Sequence, residues 1–155
     1  MKKLLIISFL LIGLISCQPE KDTFISKIKL ADLKGETLDK EQFKNKIVIL
    51  NLWATWCTPC IREMPDLVKM QNELPGDFVL LLASDESLEK IQQFTERRPF
   101  DLTFTQIQTS VESLGVYSLP TTFIIGKEGQ LLETLVGARE WDSPEQIEQL
   151  KTYLK

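Results

Sequence analysis

The segment 47–65, IVILNLWATWCTPCIREMP, constrains what this chain can fold into more than any other. Ile47 to Trp53 is an apolar run rich in β-branched residues, which predicts a buried strand. The run breaks at Ala54-Thr55-Trp56, and a helical pattern starts near Thr58 and extends to about Glu73. Cys57 and Cys60 therefore stand where a strand gives way to a helix. A free cysteine, with a pKa of about 8.5, is mostly protonated at neutral pH, and only its thiolate is a nucleophile. The unpaired N–H groups and the dipole of a helix start favour an anion at that place. Cys57 is expected to be the exposed, attacking thiol. Cys60, one turn further on, can close the small ring and resolve a mixed disulfide. Pro59 suits the first helical turn, where its missing N–H costs little.

Other uses of a Cys-x-x-Cys pair fit the sequence less well. A zinc site needs four Cys or His ligands, but the chain has no His and one further cysteine, Cys17. Haem attachment needs a His after the second cysteine, and Ile61 stands there. A purely structural disulfide remains as an alternative.

The run NLWATWCTPCIREMP resembles the active-site signature of the thioredoxin superfamily, and more narrowly that of membrane-anchored thiol–disulfide oxidoreductases of the TlpA/ResA type. SLPTT at 118–122 is similar to a second motif of that family, and the resemblance covers residues 24–155. It implies an α/β, thioredoxin-like fold: a central mixed sheet with helices on both faces and an N-terminal β-hairpin extension. It also implies a cis peptide before Pro120, facing the cysteines, with the backbone of Leu119 open to pair with an extended substrate. Trp56, Thr58 and Pro59 would lie on the same substrate-facing surface, whereas Trp53 reads as core. No organic cofactor or metal is implied. Asn51 occupies the position where thioredoxin has a buried, proton-accepting Asp, so another group or water must manage the proton. A glutamate just after the next strand is expected to reach the site; Glu86 aligns best with it and Asp85 next best. The plain alternative for Glu86 is a charge at a helix start. Arg62 and Glu63 read as solvated helical charges.

The ends of the chain bear on location. Met1-Lys2-Lys3 is basic, Leu4 to Ile15 is apolar, and Leu14-Ile15-Ser16-Cys17 is similar to a bacterial lipobox. The expected organisation is a lipoprotein signal peptide at 1–16, a lipidated Cys17 and tether at 17–23, and a thioredoxin-like domain at 24–155. That places the domain on the periplasmic or extracytoplasmic side of a bacterial membrane, in a disulfide-permissive compartment. Without residues 1–16 the chain has 16 basic and 22 acidic residues, a formal charge of −6. With Arg97-Arg98 its densest basic pair, nucleic-acid binding is not expected.

Elsewhere the patterns predict strands over 24–30, 78–83, 102–105, 121–125 and 131–136, with Thr37-Leu38 as a short partner strand. Helices are predicted from Asp39 through Phe43, from Ser87 to about Arg97, over 110–114 and from Ser143-Pro144 to about Leu154.

The expected activity is disulfide reduction in client proteins. The resemblance implies apocytochrome c among the clients, hence a part in cytochrome c biogenesis, and electrons supplied by a membrane thiol-transfer protein. A disulfide oxidase or isomerase is the runner-up, and a lipid-anchored binding module with a structural disulfide is the alternative of another class. A peroxidase is disfavoured: peroxide-reducing relatives carry Thr-x-x-Cys, and Thr55 lies two residues before Cys57.

Overall fold

The computed structural model describes residues 22–154. The expected signal peptide at 1–16, Cys17 and most of the expected tether lie outside the described residues. Nine regular elements follow in order: β1 (Leu30–Ala31), β2 (Ile47–Leu52), α1 (Thr58–Glu73), β3 (Phe78–Ser84), α2 (Leu88–Arg97), β4 (Phe104–Ile107), β5 (Thr121–Ile125), β6 (Leu131–Val136) and α3 (Pro144–Leu154).

The strands form one mixed sheet in the order β1-β4-β3-β2-β5-β6. β2 runs parallel to β3, with Ile47 opposite Phe78 and Leu52 opposite Ala83. β5 pairs antiparallel on the other side of β2, with Asn51 opposite Thr122. β2 is thus central and buried along its whole length, as a continuous apolar run requires.

Side chains alternate across β2 and divide the core in two. Ile47, Ile49 and Trp53 face a cluster built with Met64 and Leu67 of α1, Ile91 of α2 and Leu150 of α3. Val48, Leu50 and Leu52 face the opposite cluster, with Ile28, Phe43, Val116 and Phe123. Helices flank both faces, but unequally. All three α-helices contribute to the first cluster, and the second is covered by short 3₁₀ turns at Ile25–Lys27, Lys40–Phe43 and Glu112–Leu114.

Several local expectations are corrected. Of Phe24 to Leu30, only Leu30 lies in a strand. The segment begins with the 3₁₀ turn, because Phe24 packs its ring against Phe123 and Ile25 N–H bonds to Gly129 C=O. The N-terminal hairpin is minimal: Ala31 bridges Thr37, and Leu38 N–H bonds to Leu30 C=O. β4 lies two residues later than 102–105, its register set by parallel pairing with β3 and antiparallel pairing with β1. The turn at 110–114 is 3₁₀ rather than α and ends at Gly115, whose φ of 80° lies in the left-handed region that glycine adopts without penalty.

Candidate functional site

β2 ends at Leu52, and the chain crosses Trp53-Ala54-Thr55-Trp56 before α1 begins. Cys57 is the residue that caps α1, and Pro59 lies in the first turn. Cys60 N–H donates to Cys57 Sγ at 3.3 Å, so a sulfur atom satisfies one of the orphan donors of the helix start. Cys57 and Cys60 are joined as a disulfide. Cys57 is only 3% exposed and Cys60 1%, which corrects the expectation of an exposed attacking thiol. Closed into the ring, Cys57 belongs to the helix-side core with Trp53 and Ala54.

The second correction concerns Glu63. Far from being solvated, it is 2% exposed. α1 buries Cys60, Glu63, Met64, Leu67 and Met70, a stripe at three- and four-residue spacing, and Glu63 falls inside it. Cys60 and Glu63 are neighbours one turn apart on that stripe. Three N–H donors meet the carboxylate. Asn51 Nδ2 donates to Oε1 at 2.9 Å; Arg139 N–H and Trp141 Nε1–H donate to Oε2 at 3.1 and 3.0 Å. Asn51 also donates to Thr122 Oγ1, tying the network to β5. Burial lifts the Glu63 carboxyl above its ordinary range, while the three donors and the charge of Arg139 pull the other way. Glu63 is therefore the buried carboxyl beside the cysteines that Asn51 cannot be. Its position on the apolar stripe of α1 was the available signal in the sequence.

Glu86 has a different setting. Its Oε2 accepts Thr55 N–H at 2.6 Å and its Oε1 accepts Thr55 Oγ1–H at 2.9 Å. Ser84 Oγ–H reaches it at 3.4 Å, and Lys90 Nζ lies 3.7 Å from Oε1. It fastens the loop before Cys57 to the end of β3, and among the described residues its carboxylate bonds to Thr55, Ser84 and Lys90, not to a cysteine. Asp85, the second choice from sequence, is exposed.

The peptide before Pro120 is cis, as the resemblance implies. Pro120 is buried and Leu119 half-buried, and the N–H and C=O of Leu119 have no hydrogen-bond partner among the described residues. Trp56 is 72% exposed, Thr58 is exposed and Pro59 half-buried, while Trp53 lies in the core. Trp56, Tyr117 and Leu119 line one depression of about 310 Å³ beside the cysteine loop. Among the described residues no group of three or more His, Cys, Asp or Glu could hold a metal.

Residues 22–134 match the AhpC/TSA family. Over 132 residues the chain is 33% identical to the thiol-disulfide oxidoreductase ResA of Bacillus cereus, covering 81% of this chain and 72% of that protein. The chain belongs to the AhpC/TSA family, among the ResA-type thiol–disulfide oxidoreductases. Solved structures agree on the fold of this ResA-type protein. An exposed lipoprotein thioredoxin of Streptococcus pneumoniae superimposes with a TM-score of 0.64 at 26% identity, covering 78% of this chain and 97% of that one. The thioredoxin domain of a thiol-disulfide oxidoreductase from Bacteroides vulgatus gives 0.68 at 20% identity, covering 83% and 93%, a likeness of fold alone. The chemistry of this ResA-type chain is thiol–disulfide exchange through Cys57 and Cys60.

Proposed function

We propose that the protein works outside the cytoplasm as a reductant of disulfides in client proteins. The observation that carries this reading is the redox pair at the start of α1 with a buried carboxyl, Glu63, one turn below Cys60. In the reduced protein, the Cys57 thiolate attacks one sulfur of a client disulfide. A Cys57–client disulfide forms and a client thiolate leaves. Cys60 then attacks Cys57 Sγ, closing the ring and releasing the second client sulfur. Two electrons pass from the dithiol to the client. Glu63 takes the proton from Cys60 as it becomes nucleophilic, in a site where burial favours the protonated carboxyl. Glu86 acts one step removed, by holding Thr55 and hence the Cys57 loop.

Leu119, with its free backbone groups, and the Trp56 and Thr58–Pro59 surface hold an extended client segment beside Cys57. Clients include apocytochromes c awaiting haem, and electrons come from a membrane thiol-transfer protein. Cys17, acylated after removal of residues 1–16, anchors residues 24–155 to the bacterial envelope. The lipoprotein nature of the pneumococcal relative supports that placement.

The deciding experiment equilibrates the full chain in detergent with thiol redox buffers and traps the free thiols. A midpoint below roughly −230 mV supports a reductant, on a scale where thioredoxin lies near −270 mV. A value above roughly −150 mV transfers the protein to the oxidase or isomerase reading. A Cys60→Ser variant should accumulate Cys57–client disulfides; trapping no client at all would favour the binding-module reading.

A further inference from the structure

The loop that carries Cys57 runs between two depressions of opposite charge. On the α2 side, Thr55 and Ile61 meet Lys90, Arg97 and Arg98 around about 350 Å³, with three cations and no carboxylate in the lining. On the other side, Trp56, Tyr117 and Leu119 meet Asp85 and Glu112, with two carboxylates and no cation in the lining. Tyr117 is 86% exposed, the most exposed large hydrophobic side chain described, so both aromatic faces stand in water. Exposed indole and phenol faces attract a cation as well as apolar groups. Ser110 Oγ–H donates to Glu112 at 2.7 Å and holds its carboxyl below the ordinary range.

We propose that the depression between Trp56 and Tyr117 selects client segments that carry a lysine or arginine together with an apolar residue beside the target cysteine. This deepens the reductase reading and rests on it. The apolar side chain fills the space over Leu119, and the cation lies between the aromatic faces and the two carboxylates. The cationic depression across the loop repels the same basic residue, so the charge difference also fixes which way the segment runs past Cys57. Charge matching of this kind governs encounter rate and register more than final affinity.

The test uses the reduced full chain and two disulfide-bonded peptides that share a leucine beside the cysteine. One carries two lysines flanking it and the other two glutamates. The expected result is a kcat/KM about tenfold higher for the lysine peptide at low salt, narrowing as ionic strength rises. In the Asp85→Asn, Glu112→Gln double variant, the lysine-to-glutamate ratio should fall towards one. The ratio within each variant is the readout, so a general loss of activity cancels. Equal rates for the two peptides, or a preference that survives in the double variant, would overturn the inference and leave the reductase reading standing. If neither peptide is reduced, the reductase reading fails first and this inference falls with it.

Discussion

Glu63 and Glu86 both lie close to the redox pair, one on the helix that follows the cysteines and one at the end of the neighbouring strand. Glu63 is surrounded by neutral N–H donors from Asn51, Arg139 and Trp141 and is shut away from water. Glu86 accepts from the backbone and hydroxyl of Thr55 and, at longer range, from the Ser84 hydroxyl, and keeps Lys90 near it. Proximity to a cysteine therefore does not define a role. A carboxyl buried among donors has its proton affinity set by desolvation, whereas one that chelates a loop residue sets the position of that loop.

Replacing Glu63 should have the largest effect. Glu63→Ala leaves the donors of Asn51, Arg139 and Trp141 without their acceptor in the core. Buried polar groups left unpaired cost about 1–3 kcal/mol each, but Asn51 keeps Thr122 Oγ1 as an acceptor, so the loss should be at least about 2 kcal/mol, read as a lowered urea midpoint. Glu63→Gln keeps the volume but cannot take a proton. Its reduction of a client disulfide should slow and lose the part of its pH dependence that the carboxyl supplies. A Glu63→Gln enzyme with the wild-type rate and pH profile would remove Glu63 from the proton pathway.

Glu86→Gln should act more weakly and in another way. One oxygen and an amide replace the two oxygens that grip Thr55, a loss of about 1 kcal/mol. The loop before Cys57 should loosen, seen as faster hydrogen exchange at the Thr55 amide, and kcat/KM should fall about fivefold. The shape of the pH profile should not change. If Glu86→Gln shifted that profile as Glu63→Gln is expected to, the division of labour between the two carboxyls would be wrong.

That division was only half legible in the sequence. The strand and helix around Cys57 were legible because one contiguous apolar run and one helix start specify them locally; α1 spans Thr58–Glu73 as its spacing predicts. β5 is legible from its apolar stretch, and β6 as its antiparallel partner across the turn at 127–130. The edges were not. The apolar pattern at Phe24–Leu30 is satisfied by packing of Phe24 on Phe123 in a 3₁₀ turn, and β4 takes its register from partners on both sides. Those are tertiary choices that override short-range pattern. The role of Glu63 is hidden from the sequence, because a charge at one helical position is most often solvated and its three donors come from residues 12, 76 and 78 positions away. The burial of Cys57 is hidden for a related reason: a helix cap reads as exposed until the fold closes around it.

The smallest effect is on the pH dependence of stability, and its sign follows from the raised carboxyl of Glu63. Its folded pKa lies above the ordinary value of 4.5 because burial penalises the charge. Between the unfolded and folded values, the native protein holds a proton that the unfolded chain has released. The contribution of Glu63 to stability is therefore full below the unfolded value and declines as pH rises through the folded one. Salt-bridged carboxylates have the opposite sign. Asp142, held down by Lys69, contributes stability that is lost as pH falls. The total curve mixes both kinds, so the informative quantity is the difference between wild type and Glu63→Gln. In urea titrations from pH 4 upward, the wild type should lose stability relative to the variant as pH rises, then run parallel to it. Trp141→Phe removes one donor to the carboxylate and should move that decline to higher pH. Parallel curves across the whole range would mean that Glu63 is no more costly to ionise in the folded protein than in the unfolded chain. The contrast with Glu86 would then rest on geometry alone.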